Sequence, residues 1–210
     1  MNFAKKYEPK TIDDLVIENQ DTFQRIRDYA DGERGSNLIL YGPRGTGKSS
    51  AARVICETRC GDNSLFSTYT GVDITEATFD SILNSWQWQQ INGVAQPTVI
   101  IDEIDQIKPA DQHRMSSFVE KYKFGSIIGT TNNPHRIDGP LTDRFDQVEL
   151  PVVSTDAWAK RASFIFTAEG VSHTPAFAHA IVATNNGSIR DTMRAIEDYV
   201  IAKRHAEQSV

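Results

Sequence analysis

Hydrophobic residues in the first 150 positions form short continuous runs that alternate with segments of helical spacing. Strands are predicted where an apolar run is bounded by turn residues, at 37–41, 65–70, 98–102, 126–131 and 147–152. Helices are predicted over about 20–32, 47–59, 74–90 and 110–122. Because continuous apolar runs indicate strands buried on both faces, we expect a parallel sheet. The alternation is typical of βαβ units and predicts an α/β fold with five parallel strands.

The positions after 151 follow a different pattern, without a strong strand signal. Helical spacing occurs over 155–169 and again from Pro175, which can open a helix, to Gly187, which can end it. A third helix can begin at Ser188, because an apolar stripe follows it, formed by Ile189, Met193, Ile196 and Val200. The sequence therefore predicts an α/β domain over 1–150 and a small three-helix domain over 151–210.

Composition and charge are those of an ordinary globular protein. The chain has 39% hydrophobic and 24% charged residues and a net charge of −6, so any contact with nucleic acid requires a local basic patch. No apolar run is long enough to cross a membrane, and the charged first ten residues lack the apolar segment of a signal peptide. Cys56 and Cys60 are interpreted as reduced thiols. We expect a cytoplasmic protein, in the host cytoplasm if it is viral, with no membrane partner.

A glycine-rich segment after the first predicted strand carries the strongest chemical signal. Residues 42–49 match the phosphate-loop pattern Gly-x-x-x-x-Gly-Lys-Ser/Thr, and a predicted helix follows them, a context that disfavours a chance match. The glycines let backbone N–H groups turn toward phosphate, beside a positive helix N-terminus. Lys48 can reach the β- and γ-phosphates, and the Ser49 hydroxyl can ligate Mg²⁺. The predicted ATP-binding residues here are Gly42, Pro43, Arg44, Gly45, Thr46, Gly47, Lys48, Ser49 and Ser50.

Polar residues that follow two other buried strands could complete a site for ATP hydrolysis. Asp102 can hold Mg²⁺, and Glu103 can orient and polarise a water molecule that attacks the γ-phosphate. The alternative is that Asp102, Glu103 and Asp105 are solvated residues at a strand end, which the nearby phosphate loop disfavours. Asn132 could hold the same water molecule or could be a turn residue before Asn133 and Pro134.

Two arginines could contact the γ-phosphate, and their positions in the sequence leave each role open. Arg144 could form a surface pair with Asp143 or Asp146, or could act as a finger inserted into a neighbouring subunit's site. Arg190, at the start of the last predicted helix, could approach the γ-phosphate or could be a charge on the helix surface.

Together these motifs resemble the AAA+ ATPase superfamily, and more narrowly the small ATPase subunits of sliding-clamp loaders, of the replication factor C type and its phage counterparts. The segment from Lys6 to Val16 is similar to the K-Y-R-P-K-T-x-D-D opening of those subunits, with Glu8 in place of the usual arginine. Residues 102–105 resemble the family's D-E-x-D box, and 130–133 resemble its sensor 1. Residues 187–191 look like the start of its sensor 2 helix. The resemblance extends over about residues 3–205.

The resemblance implies a P-loop AAA+ base followed by a helical lid, with ATP bound between them. It implies that Ser49 and Asp102 hold Mg²⁺. It assigns catalytic roles to Glu103, Lys48, Asn132, Arg190 and, acting from a neighbouring subunit, Arg144. In the family the N-terminal segment packs on the adenine, which implies that role for Tyr7, Pro9, Val16 and Ile17. Gln112 is similar to the family's coupling glutamine, between the DNA-facing channel and the active site.

The resemblance also implies a function, a Mg²⁺-dependent ATPase subunit of a homo- or hetero-oligomer that opens a sliding clamp and loads it on primer–template DNA. Lys108, His113 and Arg114 are the candidate DNA contacts, although they could equally form a solvated helix face. The alternative is an AAA+ protein remodeller or helicase loader that uses the same ATP site without a clamp. The helical collar domain of clamp-loader subunits, roughly 100 residues long, has no visible counterpart. A shortened subunit, a truncated chain and a protein of another use therefore all stay open.

Overall fold

The computed structural model describes residues 3–61, 65–185 and 188–208 of the 210-residue chain. Gly187, the predicted end of a helix and the first residue of the sensor 2 motif, lies outside the described residues. None of the helices within these ranges combines the length and the apolar composition needed to cross a membrane.

The strands form one five-stranded sheet, which confirms the predicted α/β fold. They are β1 (Asn37–Tyr41), β2 (Thr68–Thr70), β3 (Thr98–Asp102), β4 (Ser126–Thr131) and β5 (Phe145–Glu149). Their order across the sheet is β2-β3-β4-β1-β5, and every neighbouring pair is parallel. Because parallel strands end at the same edge, the residues that follow β1, β3 and β4 lie close together there.

Nine helices occur in the described part of the chain, and four short 3₁₀ turns join them to the strands. The first six are α1 (Phe3–Lys6), α2 (Gln20–Ala30), α3 (Lys48–Cys60), α4 (Glu76–Ile91), α5 (Pro109–Lys121) and α6 (Gly139–Thr142). The last three are α7 (Thr155–Ala168), α8 (Pro175–Ala183) and α9 (Ile189–Gln208). The 3₁₀ turns are Ile12–Asp14, Gly71–Asp73, Ile104–Gln106 and Pro134–Arg136.

Helices cover both faces of the sheet, which explains why its strands are apolar at successive positions. Leu38 and Leu40 of β1 belong to a hydrophobic cluster that includes Ile26 of α2 and residues of α3. Ile39, between them, belongs to a second cluster that includes Trp86 of α4 and residues of α5. Since successive side chains of a strand point to opposite faces, each face of the sheet is buried under its own helices.

The last three helices share a hydrophobic cluster of their own. Its buried members include Trp158, Phe166, Val182, Ile196 and Val200, and it also includes Ile189 and Met193 of the predicted stripe. The side chains of Ser154 and Thr174 cap the amino ends of α7 and α8, as expected for these residue types. The division into two domains near residue 150 stays a prediction.

Three elements differ from the predicted ones by three residues or more at one end. Only 68–70 of the predicted strand 65–70 is paired, and the fifth strand occupies 145–149 instead of 147–152. That strand begins early because Asp146, which breaks the apolar run, has polar partners, and it ends before Pro151, which has no N–H to donate. The helix from Pro175 ends at Ala183, where the side chain of Asn185 donates to the carbonyl of Ile181.

Candidate active site

A cleft of about 1200 Å³ lies between the carboxyl edge of the sheet and α9. Fifteen of the predicted site residues line it: Tyr7, Pro9, Val16, Ile17, Arg44, Gly45, Thr46, Gly47, Lys48, Ser49, Ser50, Asp102, Glu103, Asn132 and Arg190. Gly42, Pro43 and Arg144 are the predicted residues that do not line it. Residues distant in sequence therefore meet in one site, as the carboxyl edge of a parallel sheet allows.

The segment 42–49 adopts a loop that only glycines could form at several positions. Gly42, Gly45 and Gly47 have φ angles of +144°, +78° and +90°. A side chain at position 42 would also place its Cβ 2.2 Å from the carbonyl oxygen of Leu150. The loop leads into α3, so the positive amino end of this helix lies beside the cleft. This arrangement suits the binding of an anion.

Lys48 is buried at the base of the loop, where its ammonium group has only neutral partners. Its Nζ donates to the carbonyl oxygens of Gly42 at 3.0 Å and Pro43 at 2.6 Å. Burial lowers the pKa of Lys48, the positive charge of Arg190 lowers it further, and Asp102 opposes them. A phosphate anion in the cleft would add negative charge to that of Asp102 and so favour the charged form of Lys48.

Ser49 and Asp102 come together from α3 and β3. The Ser49 hydroxyl donates to Asp102 Oδ1 at 3.0 Å, and the hydroxyl of Thr130 on β4 donates to the same oxygen at 2.8 Å. Mg²⁺ prefers oxygen ligands of this kind, so the pair fits the predicted metal site. Sequence reasoning included Thr130 in the sensor 1 resemblance but missed its contact with Asp102, because the order of the strands was not known.

Glu103 has an unusual backbone conformation. Among the non-glycine residues of the described ranges, it alone has a positive φ, at +53°. Such conformations are sparsely populated and cluster at functional sites. The Glu103 N–H donates to the hydroxyl of Thr130 at 3.3 Å, and the Glu103 carbonyl packs against Gly71. Glu103 is therefore held at the rim of the cleft by contacts from two neighbouring strand ends.

Asn132 lines the cleft immediately after β4, next to a buried acid. The hydroxyl of Thr131 donates to Asp105 Oδ1 at 2.6 Å and accepts from the backbone N–H of Asn133 at 2.8 Å. Thr131, before Asn132, is therefore bound to Asp105, and Asn133, after it, is bound to Thr131. Asp105 is 4% exposed. The interpretation of Asp105 as a solvated residue is wrong.

The N-terminal segment forms one wall of the cleft and is bound on both sides. Glu8, which stands where related subunits usually have arginine, forms an ion pair with Arg53 of α3 at 3.3 Å. Asp14 forms an ion pair with Arg161 of α7 at 3.6 Å. Arg53 and Arg161 also line the cleft, and no sequence pattern indicated a role for either.

The start of α9 contacts the phosphate loop directly. The Ile189 N–H donates to the carbonyl of Gly45 at 3.0 Å, and a Cβ at Gly45 would lie 2.9 Å from the hydroxyl of Ser188. Arg190 is exposed and lines the cleft. Four more residues of the same helix, at the spacing of one face, also line it and were not among the predicted site residues: Ile189, Met193, Arg194 and Glu197.

Arg144 lies away from the cleft of its own chain. Its guanidinium donates to Glu120 Oε2 at 2.6 Å and to the carbonyl of Pro140 at 2.5 Å. It lines a separate recess of about 450 Å³. The interpretation of Arg144 as the partner of Asp143 or Asp146 is wrong, because its ion pair is with Glu120.

Gln112 is buried at the start of α5 and connects three segments. Its amide nitrogen donates to the carbonyls of Ile107 at 3.0 Å and Arg136 at 3.2 Å. Its amide oxygen accepts from the N–H of Asp138 at 2.8 Å. The candidate DNA contacts Lys108, His113 and Arg114 are exposed on the same helix or just before it.

Comparison with known families places the chain among nucleotide-hydrolysing proteins. Residues 38–151, more than half of the chain, match the family described as "ATPase family associated with various cellular activities (AAA)". The matched range includes the phosphate loop, Asp102, Glu103, Asn132 and Arg144.

Two curated relatives have names that concern replication. The chain is 23% identical over 203 residues to "Replication factor C subunit 3" of Saccharomyces cerevisiae. It is 25% identical over 203 residues to "Replication factor C small subunit" of Archaeoglobus fulgidus. Each alignment covers 93% of the chain, but only 58% of the first relative and 62% of the second. The chain therefore spans about three fifths of the length of these relatives.

A solved structure has the same fold. The "RuvB Holliday junction branch migration motor" of Thermotoga maritima matches 93% of this chain and 65% of its own, with a TM-score of 0.74 and 20% identity. At this identity the likeness establishes the fold alone.

Proposed function

The chain belongs to the AAA family of ATPases, and from this premise we propose that it is an ATP-hydrolysing motor subunit of a clamp-loader-like assembly. The single observation that carries the proposal is the cleft in which the phosphate loop, two acids at the end of β3, Asn132 and Arg190 of α9 all meet. The similarity to replication factor C small subunits supports the clamp-loader part of the proposal.

ATP binds with its triphosphate on the loop 42–49. The backbone N–H groups of the loop and the amino end of α3 bind the phosphate oxygens. Lys48 exchanges its two carbonyl partners for phosphate, which offsets the cost of keeping its charge buried. The adenine packs on the wall formed by the N-terminal segment, which contributes Tyr7, Pro9, Val16 and Ile17.

Ser49 and Asp102 would hold a magnesium ion through their side-chain oxygens. The ion would supply positive charge that neutralises the charge developing on the phosphates. Thr130 fixes Asp102 by donating to the oxygen that also accepts from Ser49. These contacts orient the carboxylate before the ion arrives, so less ordering is required on binding.

Glu103 orients and polarises the attacking water molecule, and Asn132 holds it from the other side. Arg190, on α9, stabilises charge on the γ-phosphate. Burial is the main cause of the lowered pKa of Lys48, and the charge of Arg190 lowers this pKa further, which indicates that the two residues are close. The Arg144 of a neighbouring subunit completes the site. Hydrolysis therefore depends on assembly.

The assembly holds a sliding clamp open and tracks primer–template DNA through phosphate contacts. Lys108 and Arg114 contribute positive charge, and the nearby His113, His135 and Arg136 are exposed as well. Such contacts carry no sequence information, as suits a loader that acts at any primer end. ATP shifts the assembly between states only by its different affinity for each of them.

Replacing Glu103 tests the proposed chemistry. In Glu103→Gln the amide keeps the size of the side chain but cannot polarise water as a carboxylate does. We expect phosphate release to fall by about 100-fold or more, with ATP affinity nearly unchanged. The measurement is steady-state phosphate release at saturating Mg²⁺–ATP beside a direct titration of nucleotide binding. Glu76→Gln, at the exposed start of α4, is the matched control and should hydrolyse ATP at the wild-type rate.

Two outcomes would contradict the proposal at different levels. Equal rates for Glu103→Gln and wild type would remove Glu103 from the mechanism. Stimulation of the wild-type rate by primer–template DNA together with a clamp supports the loader. If neither primer–template DNA nor a clamp changes the wild-type rate, the result favours a remodeller with the same ATP site.

A further inference from the structure

A buried acid outside the cleft joins the N-terminal segment to the last three helices. Glu169 follows the end of α7, and its side chain is 2% exposed. It accepts a hydrogen bond from Lys6 Nζ at 2.7 Å and further ones from the Tyr7 hydroxyl and the Arg204 guanidinium. The three donors belong to α1, the residue after it and α9. Neither the sequence motifs nor the mechanism above uses Glu169 or Arg204.

Only one member of the cluster, Tyr7, reaches the cleft. Tyr7 contributes to the cleft wall while its hydroxyl is engaged by Glu169. Burial raises the pKa of Tyr7, and the bond to Glu169 raises it further, so the phenol stays protonated and continues to donate. The ring is therefore the part of Tyr7 that is available to a ligand, and the hydroxyl is committed elsewhere.

The carboxylate at the centre of the cluster stays ionised. Burial raises the pKa of Glu169, but the hydrogen bonds from Lys6 and Tyr7 and the charges of Lys6 and Arg204 outweigh it and lower the pKa overall. Arg161, on α7, donates to the Tyr7 carbonyl at 3.4 Å. Both ends of Tyr7 are thus held by residues in or directly after the same helix.

Resting on the proposed function, we propose that Glu169 is a positioning residue for the nucleotide base. It fixes Tyr7 in the wall of the cleft and makes this wall part of the same unit as α7 and α9. Because the Tyr7 ring is already ordered, less conformational entropy is lost when the base binds against it. The contact between Glu169 and Tyr7 therefore strengthens base binding through pre-organisation. The hydrogen-bond donors that Glu169 accepts from, Lys6, Tyr7 and Arg204, all lie outside the phosphate loop, so the proposed effect is on the base and not on the triphosphate.

The test compares ATP with inorganic triphosphate, which lacks the base. Dissociation constants for both are measured by calorimetric titration of the full chain. In Glu169→Ala we expect ATP affinity to fall about three- to tenfold, the cost of leaving one side chain free before binding, while triphosphate affinity is unchanged.

Tyr7→Phe, which removes only the hydroxyl, should weaken ATP binding in the same direction. Glu169→Gln retains an acceptor for that hydroxyl and should lie closer to wild type than Glu169→Ala. Asp198→Ala, on the exposed side of α9, is the control and should bind both ligands as wild type does.

A double variant separates positioning from general stabilisation. If Glu169 acts through Tyr7, Glu169→Ala combined with Tyr7→Ala binds ATP no more weakly than Tyr7→Ala alone. Additive losses, or equal losses for ATP and triphosphate, would overturn the proposal. If Glu169→Ala fails to fold, Glu169→Gln and Tyr7→Phe still decide between these outcomes. A wild-type chain that binds neither ligand would instead refute the proposed function, whereas normal binding by every variant would refute only the role of Glu169.

Discussion

Glu103 is held in a left-handed backbone conformation by contacts from the ends of two other strands. Its N–H donates to Thr130, and its carbonyl oxygen would lie only 2.1 Å from a Cβ built on Gly71. Gly71 follows β2, the strand next to the one that precedes Glu103. Because the obstacle is backbone, a side chain at position 71 could be accommodated only if the Glu103 peptide moved.

Gly71→Ala should therefore reduce catalysis more than binding. A shift of the Glu103 backbone would misplace the carboxylate against the attacking water, which we expect to lower phosphate release about 10- to 100-fold. ATP affinity should change little, since the phosphate loop is untouched. The measurements are steady-state phosphate release and nucleotide titration. Gly139→Ala is a matched control, because nothing lies within 4 Å of a Cβ at that position. Wild-type rates in Gly71→Ala would show that the Glu103 peptide moves without consequence.

The residues that sequence reasoning found differ in kind from those it missed. Lys48, Ser49 and Asp102 could be predicted from local sequence patterns. The first two belong to a glycine-rich loop of recognisable spacing, and Asp102 is an acid that ends an apolar run. Thr130 and Gly71 acquire their roles from neighbouring strands. Before the strand order is known, a threonine in a strand is indistinguishable from one chosen for β-propensity.

At the scale of elements, Asp146 joins β5 to α2 and to the turn before β1. Its carboxylate accepts from the Tyr29 hydroxyl and from the Ser36 hydroxyl at 2.7 Å. The hydrogen bond from Tyr29 is the main reason that the pKa of Asp146 is lowered from its ordinary value of 3.8. Burial raises the pKa of Tyr29 to about 12, and Asp146 adds to the effect, so the phenol remains a donor.

The lowered pKa of Asp146 makes a prediction about acid stability. The folded state binds this proton less readily than the unfolded state, so the stabilisation is fully present above pH 3.8 and is lost as the pH falls through the lowered folded-state pKa. Asp146→Asn should have a lower thermal midpoint than wild type at about pH 6, and the two midpoints should converge toward about pH 3. The measurement is the thermal midpoint across this range. Asp21→Asn, on exposed α2 surface, should not converge in this way, and parallel curves for Asp146→Asn would contradict the assignment.

The same residue explains one limit of the sequence prediction. Hydrophobic periodicity located all five strands, because both faces of the sheet are buried under helices. It placed the start of β5 two residues late, since Asp146 interrupts the apolar run. A polar residue inside a strand can be assigned only when its partners are known, and here they come from α2 and the following turn.

At the scale of the whole molecule, the position of Arg144 determines whether this arginine can contact the ATP site of its own chain. The cleft lies at the carboxyl edge of the sheet, whereas Arg144 precedes β5, an edge strand, and is paired with Glu120 in a separate recess. The exposed carboxylate of Glu120 holds the guanidinium near the surface, where a second chain can meet it. If Arg144 takes part in hydrolysis, it acts on the nucleotide of another subunit.

Mixing two inactive variants tests this arrangement. Arg144→Ala keeps its own ATP site but offers no arginine, and Lys48→Ala offers the arginine but binds no triphosphate. We expect each variant alone to hydrolyse ATP about 1000-fold more slowly than wild type in the assembled state. In an equimolar mixture of one assembling chain, about a quarter of the interfaces pair an intact ATP site with an intact arginine, so about a quarter of the wild-type rate should return. The measurement is phosphate release as a function of mixing ratio and total protein concentration, since the recovered rate must fall on dilution.

A mixture of Arg144→Ala with a chain that carries both substitutions has no arginine to donate and should stay inactive. Recovery in that control, or none in the first mixture despite assembly, would contradict the action of Arg144 across the subunit interface.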